Sequence, residues 1–243
     1  MANIVVTGAS RGLGLEFVKQ LAKFSKSPKV FALCRDPQGA EKLQSLANGS
    51  SNITIVKADM TDFDRYNEVV SNIKEQTGSS GINLLINNAG MMLKDTLLSV
   101  KHKSLIDSFE LNAVAPLLFT KALLPLLKKA DENALPLKVG KSVVVNISAH
   151  LGSIEENTTG GYMSYRLSKA AVNMVTKSVA MELKTSNIFV MALHPGWVKT
   201  DMGGEQAPLT AEVSVNGMLT VISKADESHR GCLFTNKGRK IPW

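Results

Sequence analysis

A glycine-rich turn near the N-terminus constrains the fold of this chain more than any other stretch. A β-branched apolar run, Asn3 to Thr7, leads into Gly8-Ala9-Ser10-Arg11-Gly12-Leu13-Gly14, and an amphipathic helical pattern follows. Glycine at these positions permits a tight turn, lets backbone amides approach a phosphate, and lets the helix pack close to the strand. The helix N-terminus then faces the pyrophosphate. The order of strand, turn and helix therefore favours a dinucleotide-binding unit over a plain connecting turn.

Strand and helix patterns alternate along the rest of the chain. Apolar runs predict seven strands, at 3–7, 29–34, 53–57, 82–86, 141–147, 188–193 and 231–234, with helical patterns between them. This alternation is typical of an α/β fold whose doubly wound parallel sheet carries helices on both faces. A chain of 243 residues is long enough for one such domain and short for two. We therefore predict a single Rossmann-fold domain spanning residues 1–243.

The formal net charge of +7 at pH 7 fits two kinds of partner, nucleic acid or an anionic small ligand. Lysine and arginine are scattered rather than gathered into one stripe, and aromatic residues make up only 5% of the chain. Platforms on which bases stack are therefore scarce. We predict a small-molecule ligand and no nucleic acid.

The sequence also predicts where the protein acts. No stretch approaches the ~18 consecutive apolar residues of a membrane span, and no basic region precedes an apolar run at the N-terminus as in a secretory signal. We expect a cytoplasmic protein without a membrane partner. Cys34 and Cys232 lie in apolar runs, and we interpret them as reduced core residues. No metal site is predicted.

Residues after the second and third strands predict which dinucleotide binds. At the end of the second strand of such a fold, an acidic side chain favours a free ribose 2′-hydroxyl and an arginine favours a 2′-phosphate. Arg35 stands there, and Arg11 of the glycine turn is a second phosphate ligand. Asp36 follows one residue too late for the ribose and is interpreted as the start of a turn. Asp59, after the third strand, can hydrogen-bond an adenine amino group, so we predict NADP(H).

Tyr165 and Lys169 lie four residues apart and share one face of a predicted helix. A free phenol titrates near ~10, so it is a slow proton carrier at neutral pH unless a nearby cation stabilises its anion. Lys169 is such a cation, although this spacing alone also fits an ordinary amphipathic surface.

A long helical pattern over 104–129 contains two prolines, Pro116 and Pro125. Proline inside a helix removes a hydrogen bond, bends the axis and leaves carbonyl groups free nearby. Asn112, at this distortion, is a candidate water ligand.

These motifs follow one another in a recognisable order. They are Thr7-Gly8-x-x-x-Gly12-x-Gly14, Asn87-Asn88-Ala89-Gly90, Asn112, Ser148, Tyr165-x-x-x-Lys169 and Pro195-Gly196. With this set the chain resembles the short-chain dehydrogenase/reductase family over essentially its whole length. Arg35-Asp36 and the ending 238–243 look most similar to NADPH-dependent carbonyl reductases of the sniffer type.

The resemblance implies an oxidoreductase that reduces quinones, diketones, aldehydes or ketones with hydride from NADPH. Tyr165 would donate a proton to the carbonyl oxygen, and Ser148 would hydrogen-bond that oxygen. Lys169 would bind the nicotinamide ribose and lower the pKa of Tyr165, and Asn112 would hold a water that links Lys169 to solvent.

Further site residues follow from the same resemblance. The implied cofactor-binding residues are Gly8, Ser10, Arg11, Gly12, Leu13, Gly14, Arg35, Asp59, Met60, Asn88, Ala89, Gly90, Tyr165, Lys169, Pro195, Gly196, Val198 and Thr200. The implied substrate-binding residues are Ser148, His150, Tyr162, Tyr165 and Trp197, with Leu151, Met91 and Met92 as further candidates. Segment 196–210, which contains two adjacent glycines and has no clear period, is interpreted as a lid.

One departure from the family pattern opens an alternative. Ser148 and Tyr165 are farther apart than is usual, and residues 155–161 look like a short insertion. Tyr162 is therefore a rival proton donor. It has Arg166 rather than a lysine four residues on, and arginine does not readily exchange its proton, so we predict Tyr165.

Two further expectations concern function and assembly. A cofactor-sensing protein that binds NADP without catalysis is the alternative function, and the intact Ser148, Tyr165 and Lys169 argue against it. Apolar faces on the helices that carry Asn112 and Tyr165 suggest the homodimer that is usual in the family.

Overall fold

The computed structural model describes residues 2–24, 27–135 and 139–243. Eight strands form one sheet in the order β3-β2-β1-β4-β5-β6-β7-β8. Their bounds are Asn3–Thr7 (β1), Lys29–Cys34 (β2), Ile53–Lys57 (β3), Leu84–Asn87 (β4), Ser142–Ile147 (β5), Ile188–His194 (β6), Leu233–Thr235 (β7) and Lys240–Ile241 (β8). Strands β1 to β7 pair in parallel, which confirms the predicted seven-stranded sheet. The short β8 pairs antiparallel to β7 and was not predicted, because two residues give no alternating pattern.

Helices cover both faces of the sheet, as predicted. They are Gly12–Leu21 (α1), Glu41–Asn48 (α2), Tyr66–Thr77 (α3), His102–Phe109 (α4), Ala115–Lys128 (α5), Met163–Glu182 (α6) and Ala211–Lys224 (α7). One apolar core joins α1, α2 and α7 to one face of the strands, and a second joins α3 and α5 to the other. Neighbouring residues of a strand point to opposite faces. Val5 therefore lies in the second core, whereas Ile4 and Val6 lie in the first.

Helices α4 and α5 form one continuous helical stretch with a π-helical turn, Glu110–Val114, between them. In a regular α-helix the carbonyl of Asn112 would accept the N–H of residue 116, but Pro116 has no N–H to donate. The distortion predicted around Asn112 is therefore present. The stretch His102–Lys128 is long and apolar enough to cross a membrane by length and composition, and half of its most apolar window is buried inside the protein.

The strand order reverses between β1 and β4, so the helices that follow these two strands leave in opposite directions. A crevice forms outside the carboxyl ends of the strands at such a switch point, and nucleotides bind there in doubly wound folds. The sequence-predicted residues Gly8, Arg35, Asn88 and Ser148 each follow a strand that ends at this edge.

Candidate active site at the carboxyl edge of the sheet

A cleft of about 330 Å³ opens at the switch point of the sheet. Most of the sequence-predicted residues line it: Gly8, Ser10, Arg11, Gly12, Leu13, Arg35, Asp59, Met60, Asn88, Ala89, Gly90, Ser148, Tyr165, Lys169, Pro195 and Thr200. Met91 also lines the cleft, with Cys34, Ala58, Thr61, Leu111, Ile147, Asp201 and Met202. Gly14, Gly196 and Val198 lie outside this lining. The glycine turn and the tyrosine–lysine pair therefore face one common space.

The glycine turn forms the floor of the cleft. Gly8 and Gly12 have φ values of +65° and +55°, which L-residues with side chains rarely adopt. A Cβ on Gly8 would lie 2.8 Å from Cα of Ala89. The side chain of Asn88 donates to the carbonyls of Thr7 and Gly8 at 3.0 and 3.2 Å, which ties β4 to the turn. A backbone cradle kept free of side chains at a helix N-terminus fits the pyrophosphate of a dinucleotide.

The far end of the cleft carries the residues expected to recognise the adenosine. Arg35 is exposed and lines the cleft. The carboxylate of Asp36 accepts the backbone N–H of Gln38 at 3.1 Å, so it starts the turn after β2, as interpreted from the sequence. Asp59 accepts from the N–H and the hydroxyl of Thr61 at 2.9 and 2.8 Å. Arg11 of the glycine turn forms an ion pair with Asp201 at 3.2 Å.

Tyr165 and Lys169 stand on the buried face of α6. Their side chains adjoin, with Nζ of Lys169 5.6 Å from the centre of the phenol ring. Burial raises the pKa of Tyr165 above its ordinary value and lowers the pKa of Lys169 to about 8. Burial is the cause of the raised Tyr165 pKa, and the expected lowering of that pKa by Lys169 stays a prediction. At pH 7 the phenol is therefore protonated and the lysine is mostly charged.

Ser148 directly follows β5, and its backbone N–H continues the sheet by donating to Leu193 at 2.8 Å. Its hydroxyl donates to Oδ1 of Asn173 at 2.6 Å. Asn173 was missed by the sequence reasoning. Its spacing of four residues after Lys169, on the face that carries Tyr165, was the available signal.

The side chain of Asn112 is buried and fully engaged as a donor. Its Nδ2 donates to the carbonyl of Met91 at 2.8 Å and to the hydroxyl of Ser168 at 2.9 Å, while Oδ1 accepts the N–H of Met91 at 2.9 Å. Ser168 in turn donates to the carbonyl of Tyr165 at 2.8 Å. Asn112 thus connects the segment after β4 to the part of α6 that carries Tyr165.

The structure does not bring five predicted substrate residues into the lining of the cleft, namely Met92, His150, Leu151, Tyr162 and Trp197. Nε1 of Trp197 donates to the carbonyl of Gly203 at 2.7 Å, within its own segment, and the ring is exposed. His150 forms an ion pair with Glu156. Tyr162 precedes α6 with a left-handed backbone, φ +50°. Their role in substrate binding stays a prediction.

The predicted insertion is held by long side chains from both sides. Arg166 is only 9% exposed and donates to the carbonyls of Gly160, Gly161 and Leu151 at 3.2, 3.1 and 3.4 Å. Its Nη2 also donates to the hydroxyl of Thr159 at 2.9 Å. From the C-terminal side, Arg239 pairs with Glu156 at 3.3 Å and the carbonyl of Trp243 accepts the N–H of Glu155 at 3.0 Å.

Several other buried polar residues that position the site have no motif. Oδ1 of Asp95 accepts the N–H of Ser164 at 3.1 Å and so caps the start of α6. Asn87 donates to Asn146 at 2.8 Å, and Asn146 donates to Thr176 of α6 at 2.9 Å. Because each bond joins residues far apart in the chain, no local pattern reveals it.

The segment after β6 forms the remaining wall. The hydroxyl of Ser214 on α7 donates to the carbonyl of Pro195 at 2.7 Å. An isolated bridge between Val198 and Leu209 closes the base of the predicted lid. Among the residues that the structure describes, no group of three or more histidine, cysteine, aspartate or glutamate side chains is placed to hold a metal ion.

A doubly wound sheet with a glycine cradle at its switch point, and with serine, tyrosine and lysine on one wall of the same cleft, defines a dinucleotide-binding oxidoreductase. The family described as short chain dehydrogenase matches residues 2–209, and the chain belongs to that family.

Individual relatives agree with this assignment. The solved structure of carbonyl reductase Sniffer of D. melanogaster matches with a TM-score of 0.95 and 41% identity, covering 100% of both chains. NADPH-bound carbonyl reductase from chicken fatty liver matches with a TM-score of 0.93 and 40% identity, covering 100% of this chain and 99% of that one. "C-signal" of Myxococcus xanthus is 40% identical over 163 residues, 67% of this chain and 93% of its own. The predicted family and its similarity to Sniffer-type carbonyl reductases are confirmed.

Proposed function

We propose that the protein reduces carbonyl compounds to alcohols with NADPH and that Tyr165 donates the proton. The observation that carries the proposal is the buried phenol of Tyr165, which faces the same cleft as the glycine turn. Burial raises its pKa, so the phenol is protonated at neutral pH, the form that a proton donor in reduction needs.

The cofactor, when bound, supplies hydride to the carbonyl carbon. The residues of the chain donate the proton and stabilise the charge that develops. Tyr165 Oη passes its proton to the carbonyl oxygen, and Ser148 Oγ hydrogen-bonds that oxygen as negative charge develops on it. Charged Lys169, which also donates to the carbonyl of Ile147 at 2.8 Å, stabilises the phenolate that remains.

Tyr165 must then regain a proton, and Asn112 is proposed to hold a water for this purpose. A Cβ on Gly90 would lie 3.0 Å from Oδ1 of Asn112 and 3.7 Å from Nζ of Lys169. Both atoms therefore lie beside Gly90, where no side chain competes with the proposed water for their lone pair and proton. Oδ1 has a second lone pair for this water, and the carbonyl of Asn112 lacks its usual partner because of Pro116.

NADPH is favoured over NADH by the end of β2. Arg35 is exposed at the cleft and presents a fork of donors that suits a 2′-phosphate. Asp36, the acidic residue beside it, accepts the backbone N–H of Gln38 and starts the turn after β2. The relative from chicken fatty liver is itself NADPH-bound.

Consumption of NADPH and of NADH, followed by absorbance with quinones, diketones and aldehydes, tests the proposal. We expect turnover with NADPH that falls about 1,000-fold or more in Tyr165→Phe, since a general acid contributes roughly 10²–10⁴-fold. Tyr162→Phe is the matched control and should stay active. An inactive Tyr162→Phe beside an active Tyr165→Phe would reverse the assignment, and a preference for NADH would refute the role of Arg35.

The alternative function is an NADP-binding sensor without catalysis. The complete set of Ser148, Tyr165 and Lys169 in the cleft supports catalysis instead. Cofactor binding by calorimetry without turnover of any carbonyl tested would favour the sensor.

Assembly as a homodimer is also proposed. Leu167, Met174 and Met181 are exposed on α6 and stand seven residues apart, which places them along one face. Sedimentation should give a dimer mass, and Met174→Glu should lower it to that of a monomer. A wild-type monomer would remove the proposal.

The proposed setting is the cytoplasm, without nucleic-acid or membrane partners. Cell fractionation should recover the protein in the supernatant, and DNA binding at physiological salt should be undetectable. Recovery with membranes would contradict this proposal and would indicate a membrane contact of His102–Lys128.

A further inference from the structure

Asn173 is a buried polar residue that touches Ser148 and has no part in the reaction as described so far. It is 4% exposed and lies on α6, one turn beyond Lys169 and two beyond Tyr165. Oδ1 accepts the hydroxyl of Ser148 at 2.6 Å, and Nδ2 donates to the carbonyl of Gly152 at 3.1 Å. Both ends of the amide are therefore engaged, and each end has the polarity that its partner requires.

A serine hydroxyl has one hydrogen and rotates freely unless a partner fixes it. Here the hydrogen points at Oδ1 of Asn173 at 2.6 Å, because the other acceptor, the carbonyl of Lys169, is 3.5 Å away. The amide nitrogen of Asn173 donates to Gly152 and so does not face Ser148. The hydroxyl oxygen keeps its acceptor sites for another donor. The direction of the Ser148 hydroxyl is therefore set by a residue of the helix that carries Tyr165, and not by Ser148 alone.

The bond to Gly152 extends this control to the segment after β5. Residues 150–152 form one short helical turn that begins two residues after Ser148. A Cβ on Gly152 would lie 2.8 Å from the backbone carbon of Lys169, so this turn packs directly on α6. Asn173 thus binds both Ser148 and the turn that follows it to the same helix.

We propose that Asn173 is a positioning residue for Ser148. It holds the hydroxyl hydrogen between turnovers and releases it to the oxygen of an entering carbonyl, which replaces Oδ1 as the acceptor. Without Asn173 the hydroxyl samples several directions, and fewer carbonyl molecules meet it correctly oriented. This inference rests on the proposed function, because it assumes that Ser148 hydrogen-bonds the substrate.

A double-mutant cycle with Asn173→Leu and Ser148→Ala tests the proposal. Leucine has the same branching at Cγ as asparagine and removes both hydrogen bonds. We expect Asn173→Leu to lower kcat about 10-fold while the Kd of NADPH changes less than about two-fold. Because Asn173 acts through Ser148, the double variant should be no slower than Ser148→Ala alone. Losses that multiply would overturn the proposal.

Two further variants separate positioning from general damage to α6. Asn173→Asp keeps an acceptor for Ser148 and loses the donor to Gly152, so it should retain more activity than Asn173→Leu. Val172→Ala leaves a cavity at a fully buried position of the same helix and should lower stability without lowering kcat. A kcat loss in Val172→Ala equal to that in Asn173→Leu would contradict a specific role for Asn173.

Urea unfolding of the four proteins of the cycle does not depend on any substrate. We expect non-additive shifts in the unfolding midpoint, since Ser148 and Asn173 share one bond. Additive shifts would overturn the inference even if the wild type reduces carbonyls. Coupled shifts in a wild type that reduces no carbonyl would refute the proposed function and leave the contact between the two residues in place.

Discussion

The two sides of the cleft are held together by different means. On the cofactor side, backbone groups and short side chains at strand ends make the contacts, as in the bonds from Asn88 to Thr7 and Gly8. On the side of the insertion, long charged side chains make the contacts. Arg166 donates to the carbonyl of Gly160, and Arg239 forms an ion pair with Glu156. The first side depends on close backbone approach and tolerates little added volume. The second depends on the length and charge of a few side chains and should tolerate added volume better.

The largest expected effect is on the cofactor side. Gly14→Ala adds a Cβ that would meet Gly8, with the Gly8 carbonyl carbon at 2.8 Å and Nδ2 of Asn88 at 2.7 Å. Backbone atoms cannot move aside cheaply, so we expect a Kd for NADPH roughly 100-fold weaker, equivalent to about 2.7 kcal/mol. Calorimetric titration measures this change.

Gly49→Ala is the matched control for this prediction. A Cβ on Gly49 would lie 3.7 Å from its nearest neighbours, the carbonyls of Ser45 and Leu46, which is ordinary contact. It should bind NADPH as the wild type does. If Gly14→Ala also bound normally, the cofactor side would not depend on close backbone approach.

This difference also decides what the sequence can predict. The glycine turn, Asn88, Ser148 and Tyr165 belong to local patterns at strand ends or helix starts, and the parallel sheet brings those ends together automatically. Asp95 and Asn173 act through bonds to residues distant in the chain, and their partners become known only when the helices pack. The eighth strand and the ion pair of Arg11 with Asp201 were unpredictable for the same reason.

His194, the last residue of β6, should make the stability of the protein depend on pH. Burial is the main cause that lowers its pKa from 6.5 to about 4, with further contributions from His150 and Arg239 that Glu156 opposes. Between these values the unfolded chain binds a proton that the folded protein does not bind. The free energy of unfolding should therefore rise with pH from about 4 to about 6.5, by about 3 kcal/mol, and the contribution should be complete above that range.

Urea unfolding at several pH values measures this contribution as the difference between wild type and His194→Asn. The variant should show a flatter rise. His102→Asn, at the exposed start of α4, is the control and should keep the wild-type profile. Parallel profiles for wild type and His194→Asn would mean that the folded protein binds the proton after all.

Replacing Arg166, which holds the insertion, should weaken the binding of the carbonyl substrate and not the binding of the cofactor. Arg166→Met leaves three carbonyls without their donor, and we expect the KM of the carbonyl substrate to rise about 10-fold, equivalent to about 1.4 kcal/mol. The Kd of NADPH should not change. Lys177→Met, an exposed lysine of the same helix, should match the wild type in both. Equal losses of carbonyl and cofactor affinity in Arg166→Met would show that the two sides are not separable.

The smallest expected effect is again on the cofactor side, where it depends on charge and not on shape. Arg11 and Asp201 form an ion pair whose side chains are 77% and 75% exposed. Asp201 therefore competes weakly with a 2′-phosphate for the guanidinium. Asp201→Asn should tighten NADPH binding about two- to five-fold at low salt, with less effect at high salt. The affinity for NADH should not change, because NADH has no phosphate to take the place of the carboxylate.

Fluorescence titration of both cofactors measures this selectivity, with Glu205→Gln as an exposed acidic control from the same segment. Weaker binding of both NADPH and NADH by Asp201→Asn would mean that the ion pair closes over a bound cofactor instead of competing with it. In that case the cofactor side, like the insertion, would depend on a long side chain that spans the cleft. The two sides would then differ only in how far each depends on long charged side chains.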